Sequence, residues 1–227
     1  MKDSLGDRIK RYERVSDHML TPSSPLFIRV DGRAFHTWCR GLDKPFDTRL
    51  IRTFINTTMD VVKDMPGFKL AYCQSDEVTF MLTDTDRVES QGWFDYRLNK
   101  VVSIAASAFT AYFNREVPNQ FGINIQRNPA MFDARAFTVP YEDAPNVFVW
   151  RQKDWHRNSL SMLAQSYYSH SELQGKKKPD LHEMLHAKGD NWADLEPMLK
   201  NGSFLHADGS LTHKQLVWTE LAELIDL

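Results

Sequence analysis

Two adjacent carboxylates at a tight turn between apolar runs constrain this chain more than any other feature. The stretch from Ala71 to Phe80 reads Ala-Tyr-Cys-Gln-Ser-Asp-Glu-Val-Thr-Phe. Its surroundings predict strands over Phe68 to Cys73 and Val78 to Leu82, with Gln74 to Glu77 between them. That places Asp76 and Glu77 at a hairpin tip. A second apolar run, Leu26 to Val30, follows Pro22 and Pro25 and leads into Asp31 and Gly32. Carboxylates at neighbouring strand ends are a common way to hold Mg²⁺, which takes one or two carboxylates, several waters and substrate phosphates. Two such ions can stabilise the attacking and leaving oxygens of a phosphoryl transfer.

The order of elements shows how these carboxylates meet. Apolar residues at Ile51, Phe54, Ile55 and Val62 have helical spacing, so a helix is predicted over Phe46 to Asp64, stopped by Met65, Pro66 and Gly67. A longer helix is predicted over Trp93 to Asn114, and a strand over Met131 to Val139, closed by Pro140. The result is an α+β chain with the β-α-β-β-α-β order of a ferredoxin-like, polymerase palm-type fold. In this topology the first and third strands are antiparallel neighbours. Asp31 and the Asp76–Glu77 pair therefore converge at one sheet edge. Palm-like sheets serve polymerases and nucleotide cyclases alike, so the fold alone selects no reaction.

We take residues 1–140 as the palm-like catalytic domain and residues 141–227 as an appendage packed on it. The appendage is read as helices over Gln152 to Ser169 and Pro179 to Lys188, then a hairpin over Ser203 to Trp218 around Asp208 and Gly209.

Composition narrows the class. A chain of 227 residues can bury a substantial core. No apolar run approaches the roughly 18 residues of a membrane span. The first residues lack the apolar region of a signal peptide. Cys39 and Cys73 have no metal-ligand spacing and read as free thiols of a reducing compartment, which makes a cytoplasmic location the expectation. A net charge of −2 argues against non-specific DNA binding but leaves RNA open, because local patches matter more than the sum. The one basic run, Lys176 to Lys178, reads as a solvated loop.

Asp31 and Asp76 are the expected metal ligands, with the Gly32 carbonyl as a further one. The backbone of Gly32, Arg33, Ala34, Phe35 and His36 offers N–H groups to a triphosphate, and Arg33 and Lys44 add charge to it. Ser75 either contacts phosphate or sugar or caps the turn. His36 either approaches phosphate or packs beside Phe35. Glu77 is either a site carboxylate or a solvated strand residue. Arg97 and Lys100 share a helix face and form either a basic rail toward the site or an ordinary polar face.

Taken together, these segments resemble the tRNA-histidine guanylyltransferase family and its Thg1-like relatives. The resemblance rests on Val30 to His36, Lys44 with Pro45, Tyr72 to Glu77, Arg97 with Lys100 and Ser103, Phe132 to Arg135, Trp150 to Asp154, and Asn201 to Ser203. It spans roughly residues 5 to 205. It implies addition of nucleotides to the 5′ end of a tRNA, opposite in direction to ordinary polymerases. ATP, or GTP, activates the 5′ phosphate, and the 3′-hydroxyl of an incoming GTP attacks it. By this resemblance Asp31, Gly32 and Asp76 hold two Mg²⁺ ions, and residues 31 to 36 with Ser75 and Asp76 bind nucleotide. Glu77 supports the metal site and Lys44 aids activation. His156 and Asn158 handle tRNA, and the assembly is a homotetramer. One element departs from the family pattern: Arg157 and Ser159 stand where relatives carry Ile and Asn. That departure points toward template-directed repair of 5′-truncated tRNAs. Two other readings compete. A cyclase would need a Gly-Gly-Asp-Glu hairpin, and the chain has Gln-Ser-Asp-Glu. An inactive nucleotide- or RNA-binding module would be expected to have lost Asp31, Asp76 or Glu77, and all three are present.

Overall fold

Alternating side chains on short β-rich runs build a sheet with two apolar faces. In the computed structural model, which describes residues 4–85, 89–123 and 127–226, that sheet has six strands. They are β1 (Leu26–Gly32), β2 (Phe68–Gln74), β3 (Glu77–Leu82), β4 (Phe132–Thr138), β5 (Ser203–His206) and β6 (Leu211–Thr212). Their order is β4-β1-β3-β2-β5-β6, and every pairing is antiparallel. The first four strands reproduce the predicted palm, with β1 and β3 side by side in its middle.

Helices preceding and flanking the palm are α1 (Leu5–Arg14), α2 (Phe35–Trp38), α3 (Thr48–Val61) and α4 (Leu98–Phe121). The C-terminal part supplies α5 (Ala144–Gln165), α6 (His170–Leu173), α7 (Lys178–Ala187), α8 (Pro197–Asn201) and α9 (Trp218–Leu224). One sheet face carries Ile28, Val30, Ala71, Val78 and Phe80, all buried in one cluster with Phe54 of α3 and Phe109 and Phe113 of α4. The other face carries Phe27, Leu70, Tyr72, Met81 and Phe204, clustered with Phe148 of α5 and Leu221 of α9. Strands apolar on both faces suit a sheet covered on both sides. The C-terminal segment meets the sheet in two ways: α5 and α9 cover its second face, and β5 continues it beyond β2.

Several helix ends differ from expectation. The second palm helix begins at Leu98, not Trp93, because Phe94, Asp95 and Tyr96 hold positive φ of 50°, 52° and 58°. A right-handed helix cannot run through such residues. It also continues past Asn114, through Pro118, and ends at Gly122, whose φ of +95° suits glycine. The helix predicted from Gln152 starts instead at Ala144, with Pro145 in its first turn, a position where a missing N–H costs nothing. Asp47 caps α3 by accepting from the Arg49 amide at 3.0 Å, so that helix starts at Thr48. Trp218, read as part of the last hairpin, opens α9.

Candidate active site at the ends of the central strands

The register of the central strands sets the site. Asp31 lies opposite Glu77 on β3 and opposite Asp133 on β4. The turn between β2 and β3 holds Ser75 at a φ of 50° and bends Asp76 back over the end of β1. The Gly32 amide donates to the Asp76 carbonyl at 3.0 Å, which ties the two strand ends together. Ser75 Oγ donates to Asp76 Oδ1 at 2.9 Å. Burial raises the Asp31 carboxyl above its ordinary value, and the nearby charges of Asp76 and Asp133 raise it further. Arg135 and Arg29 pull the other way without cancelling the rise, so the net repulsion among these carboxylates is one that a bound cation would relieve.

The donors present are oxygens. Among the described residues no group of three or more His, Cys, Asp or Glu side chains is arranged to hold a metal. Asp31, Asp76 and the Gly32 carbonyl are oxygen donors, the ligand type that Mg²⁺ takes alongside waters and phosphates.

Gly32 is needed for a steric reason. A Cβ at this position would lie 2.3 Å from Phe35 Cδ2. Phe35 is buried, with Trp38, Phe54, Phe113 and Phe132 rings at 5.1 to 5.6 Å. That anchor fixes the following loop to the core, so Phe35 serves the site through its backbone. Ala34 adopts a φ of 51°, and among the described residues the amides of Ala34, Phe35 and His36 donate to no backbone acceptor. Arg33 and His36 are exposed beside them.

Next to this loop lies a cavity of about 670 Å³, within the size range of small-molecule sites. His36, Lys44, Ser75 and Asp76 supply polar lining, and Leu50, Ile51, Trp155 and Met162 supply apolar lining. Cys39 also borders it; burial pushes its thiol up to about 11. Cys73 is fully buried and pushed up to about 12. Both cysteines are free and protonated at neutral pH, and neither is poised as a nucleophile.

Glu77 stands apart from the solvent-facing carboxylates. It is buried, and Arg151 of α5 donates to both its oxygens, Nε to Oε1 at 2.7 Å and Nη2 to Oε2 at 2.9 Å. Gln74 donates to Oε1 at 3.2 Å, and Arg29 Nε lies 3.5 Å from Oε2. Burial raises the Glu77 carboxyl, while Arg151 and Arg29 pull against it. The pair fastens α5 to the strand that carries the turn, so neither alternative considered for Glu77 describes its surroundings fully. Arg29, Asp133 and Arg151 were not expected as site neighbours, since only the strand register and the helix packing bring them in.

Other expected residues lie elsewhere. Arg97 and Lys100 sit where β1 begins, at the opposite end of the sheet from Asp31, and so form no rail toward it. Arg97 Nε donates to Asp17 at 3.1 Å, and its backbone bridges to Met19. Lys100 Nζ lies 5.8 Å from the Phe94 ring. His156 is half-buried, with its ring edge-on to Trp192 at 5.5 Å, and burial lowers its pKa. Asn158 is partly exposed on the same helix. Of the two departures, Arg157 is exposed and pairs with Asp154, whereas Ser159 is buried and accepts the Trp192 Nε1 hydrogen bond at 3.0 Å. Among the described residues no helix is long and apolar enough to cross a membrane.

Residues 6–140 match the family model described as Thg1, tRNAHis guanylyltransferase. A bacterial tRNA(His) guanylyltransferase (Thg1)-like protein solved with ATP superposes with a TM-score of 0.92 at 35% identity, covering 98% of each chain. Another bacterial Thg1-like structure, with GTP, gives a TM-score of 0.81 at 31% identity, covering 99% of this chain and 100% of that one. The tRNA(His) guanylyltransferase of Schizosaccharomyces pombe is 29% identical over 217 residues, 89% of this chain and 80% of the relative. The family model covers more than half of the sequence, and the chain therefore belongs to the Thg1 family of tRNAHis guanylyltransferases, which are nucleotidyltransferase enzymes.

Proposed function

We propose that this enzyme adds nucleotides to the 5′ end of tRNA in the 3′–5′ direction, with guanosine addition to tRNA-histidine as its primary activity. The observation that carries the reading is the convergence of Asp31 and Asp76 beside a cavity that also presents Ser75, His36 and Lys44. Asp31, Asp76 and the Gly32 carbonyl would hold two Mg²⁺ ions. When bound, such ions neutralise charge on the reacting phosphates. The amides of residues 34 to 36 cradle a triphosphate, and Lys44 adds charge where the 5′ phosphate is activated by ATP or GTP. Positioning and charge neutralisation suffice for this chemistry, since phosphoryl transfer asks little covalent help of the protein. Glu77 acts as a positioning residue, through Arg151. His156 and Asn158 are assigned to tRNA, as are Arg97 and Lys100 at a distance from the reacting end.

Ser159 favours a second reading. Its short side chain is committed to Trp192, at a position where the family resemblance leads one to expect Asn. Template-directed repair of 5′-truncated tRNA would fit that change. A labelling assay distinguishes the two, with tRNA-histidine lacking its extra 5′ guanosine beside a tRNA missing its first templated nucleotide. Extension of the first supports the primary reading, and strong preference for the second makes the protein a repair polymerase. If neither is extended, a binding module becomes the better account. Lys44→Ala is expected to slow transfer onto a 5′-monophosphorylated tRNA more than onto a pre-triphosphorylated one. Equal losses on both substrates would remove Lys44 from the activation step.

A further inference from the structure

A reaction that joins two nucleotides needs two places for bases, and the cavity beside Asp76 supplies one. On the other side of Asp31 lie two arginines and an exposed tryptophan. Arg29 is two residues back from Asp31 on β1 and so shares its face. Across the β1–β4 pairing Arg29 faces Arg135 directly, as Asp31 faces Asp133. Like charges opposed across strands weaken a sheet; here Glu77 offsets Arg29, its Oε2 3.5 Å from Arg29 Nε, and the Asp31 carboxylate feels both arginines. Arg29 Nε is buried without a hydrogen-bond partner, and Arg135 is exposed on the edge strand.

Beside these arginines α5 presents Trp150. The Arg29 guanidinium carbon lies 5.6 Å from the indole centroid, and that of Arg151 4.5 Å. Arg151 is itself fixed by its two bonds to Glu77. The indole thus lies against two cations, one of them fixed by Glu77, while 52% of the residue stays open to solvent. Trp150 does not line the cavity that Trp155 lines one and a half turns further along the helix. Aromatic side chains set among cations are stacking platforms for single-stranded nucleotides, and stacking tolerates any base because every base has a π-face. Arg29 and Asp31 are separated by about 7 Å along the strand, roughly the reach of one nucleotide.

We propose that Trp150 is the stacking platform for the base of a second, 5′-phosphorylated nucleotide, the terminal nucleotide of the RNA, with Arg29 and Arg135 drawing its phosphate toward Asp31. This inference rests on the nucleotidyl-transfer reading above. A free nucleotide would present the same chemistry, so the test separates the two sources.

Binding of a 3′-labelled, 5′-monophosphorylated tRNA is measured by fluorescence anisotropy for wild type and for Trp150→Ala, Trp150→Leu and Trp150→Phe, alongside binding of ATP and GTP alone. The thermal midpoint of each variant is recorded. Stacking of this kind predicts that Ala and Leu weaken tRNA binding by about 5- to 100-fold, and that Phe restores most of it. Leu keeps the apolar cover without the π-face, so a loss confined to Ala would mean packing and would overturn the platform. Wild-type affinity for both tRNA and nucleotides in the Ala and Leu variants would also overturn it. A loss for ATP or GTP with tRNA binding intact would overturn the RNA terminus as occupant in favour of a free nucleotide. The binding assay needs no turnover. If binding depends on Trp150 but no tRNA is extended, the transfer reading fails and the platform stands.

Discussion

Asp76→Asn is expected to slow nucleotide transfer at least about 100-fold, the scale on which one electrostatic group of a preorganised site acts, while the protein stays folded. Asn preserves the shape of the turn and an oxygen for the Ser75 hydroxyl, and the backbone bond from Gly32 to residue 76 is untouched. Only the charge is lost. Stability without divalent cations gives an independent readout. The Asp31 carboxyl is raised by burial first and by Asp76 second. A carboxyl raised on folding binds its proton more tightly in the folded state, so its ionisation opposes folding at neutral pH. That cost fades as pH falls through the folded pKa and is gone below the unfolded one. Removing the Asp76 charge should therefore make the variant at least as stable as wild type at pH 7, with the advantage vanishing at acid pH. Urea midpoints at the two pH values, with single-turnover transfer rates, test both halves. Transfer within tenfold of wild type would exclude Asp76 from the reacting centre.

Arg151→Met is expected to destabilise the fold by about 3 to 5 kcal/mol, because it leaves Glu77 buried without its bidentate partner. The double variant Glu77→Gln with Arg151→Met removes both charges and should recover a large part of that loss. Acid should also narrow the gap between Arg151→Met and wild type. Without Arg151 the pull opposing burial is weakened, so the Glu77 carboxyl rises further and its ionisation costs more. Protonation as pH falls through that raised pKa then relieves the penalty. Chemical denaturation of the three proteins at pH 7 and pH 5 checks both expectations. A single variant as stable as wild type would mean that α5 is held to the sheet by apolar packing alone.

The parts of the site legible in the sequence were those set by local pattern. Short apolar runs over Leu26 to Val30 and on either side of the Ser75–Asp76 turn marked the strands, and ferredoxin-like topology then brought Asp31 to Asp76. What escaped depends on partners distant in sequence. Asp133 reaches Asp31 only through the β1–β4 register, and Arg151 reaches Glu77 only once α5 lies across the sheet. Glu77 looked like a turn carboxylate because its neighbour is one, yet strand alternation turns it inward to a guanidinium. The start of α4 at Leu98 is not legible in the sequence, because three consecutive non-glycine residues take positive φ, a backbone choice with no marker in Phe94, Asp95 or Tyr96. The four-residue strand β5 carried too short a pattern to announce that it would pair with β2. Arg97 and Lys100 were expected on one helix face, but Arg97 is the extended residue that precedes α4 and only Lys100 lies in its first turn, at the end of the sheet away from Asp31.

The end of the RNA at which the chain grows is the most direct test of the central claim. Purified enzyme is incubated with 5′-monophosphorylated tRNA-histidine lacking its extra guanosine, ATP and α-labelled GTP, with Mg²⁺ or with EDTA, and the product is digested to locate the label. The account predicts label at the 5′ terminus, dependent on Mg²⁺ and lost in Asp76→Asn. Label at the 3′ terminus, or incorporation that persists in EDTA, would contradict it.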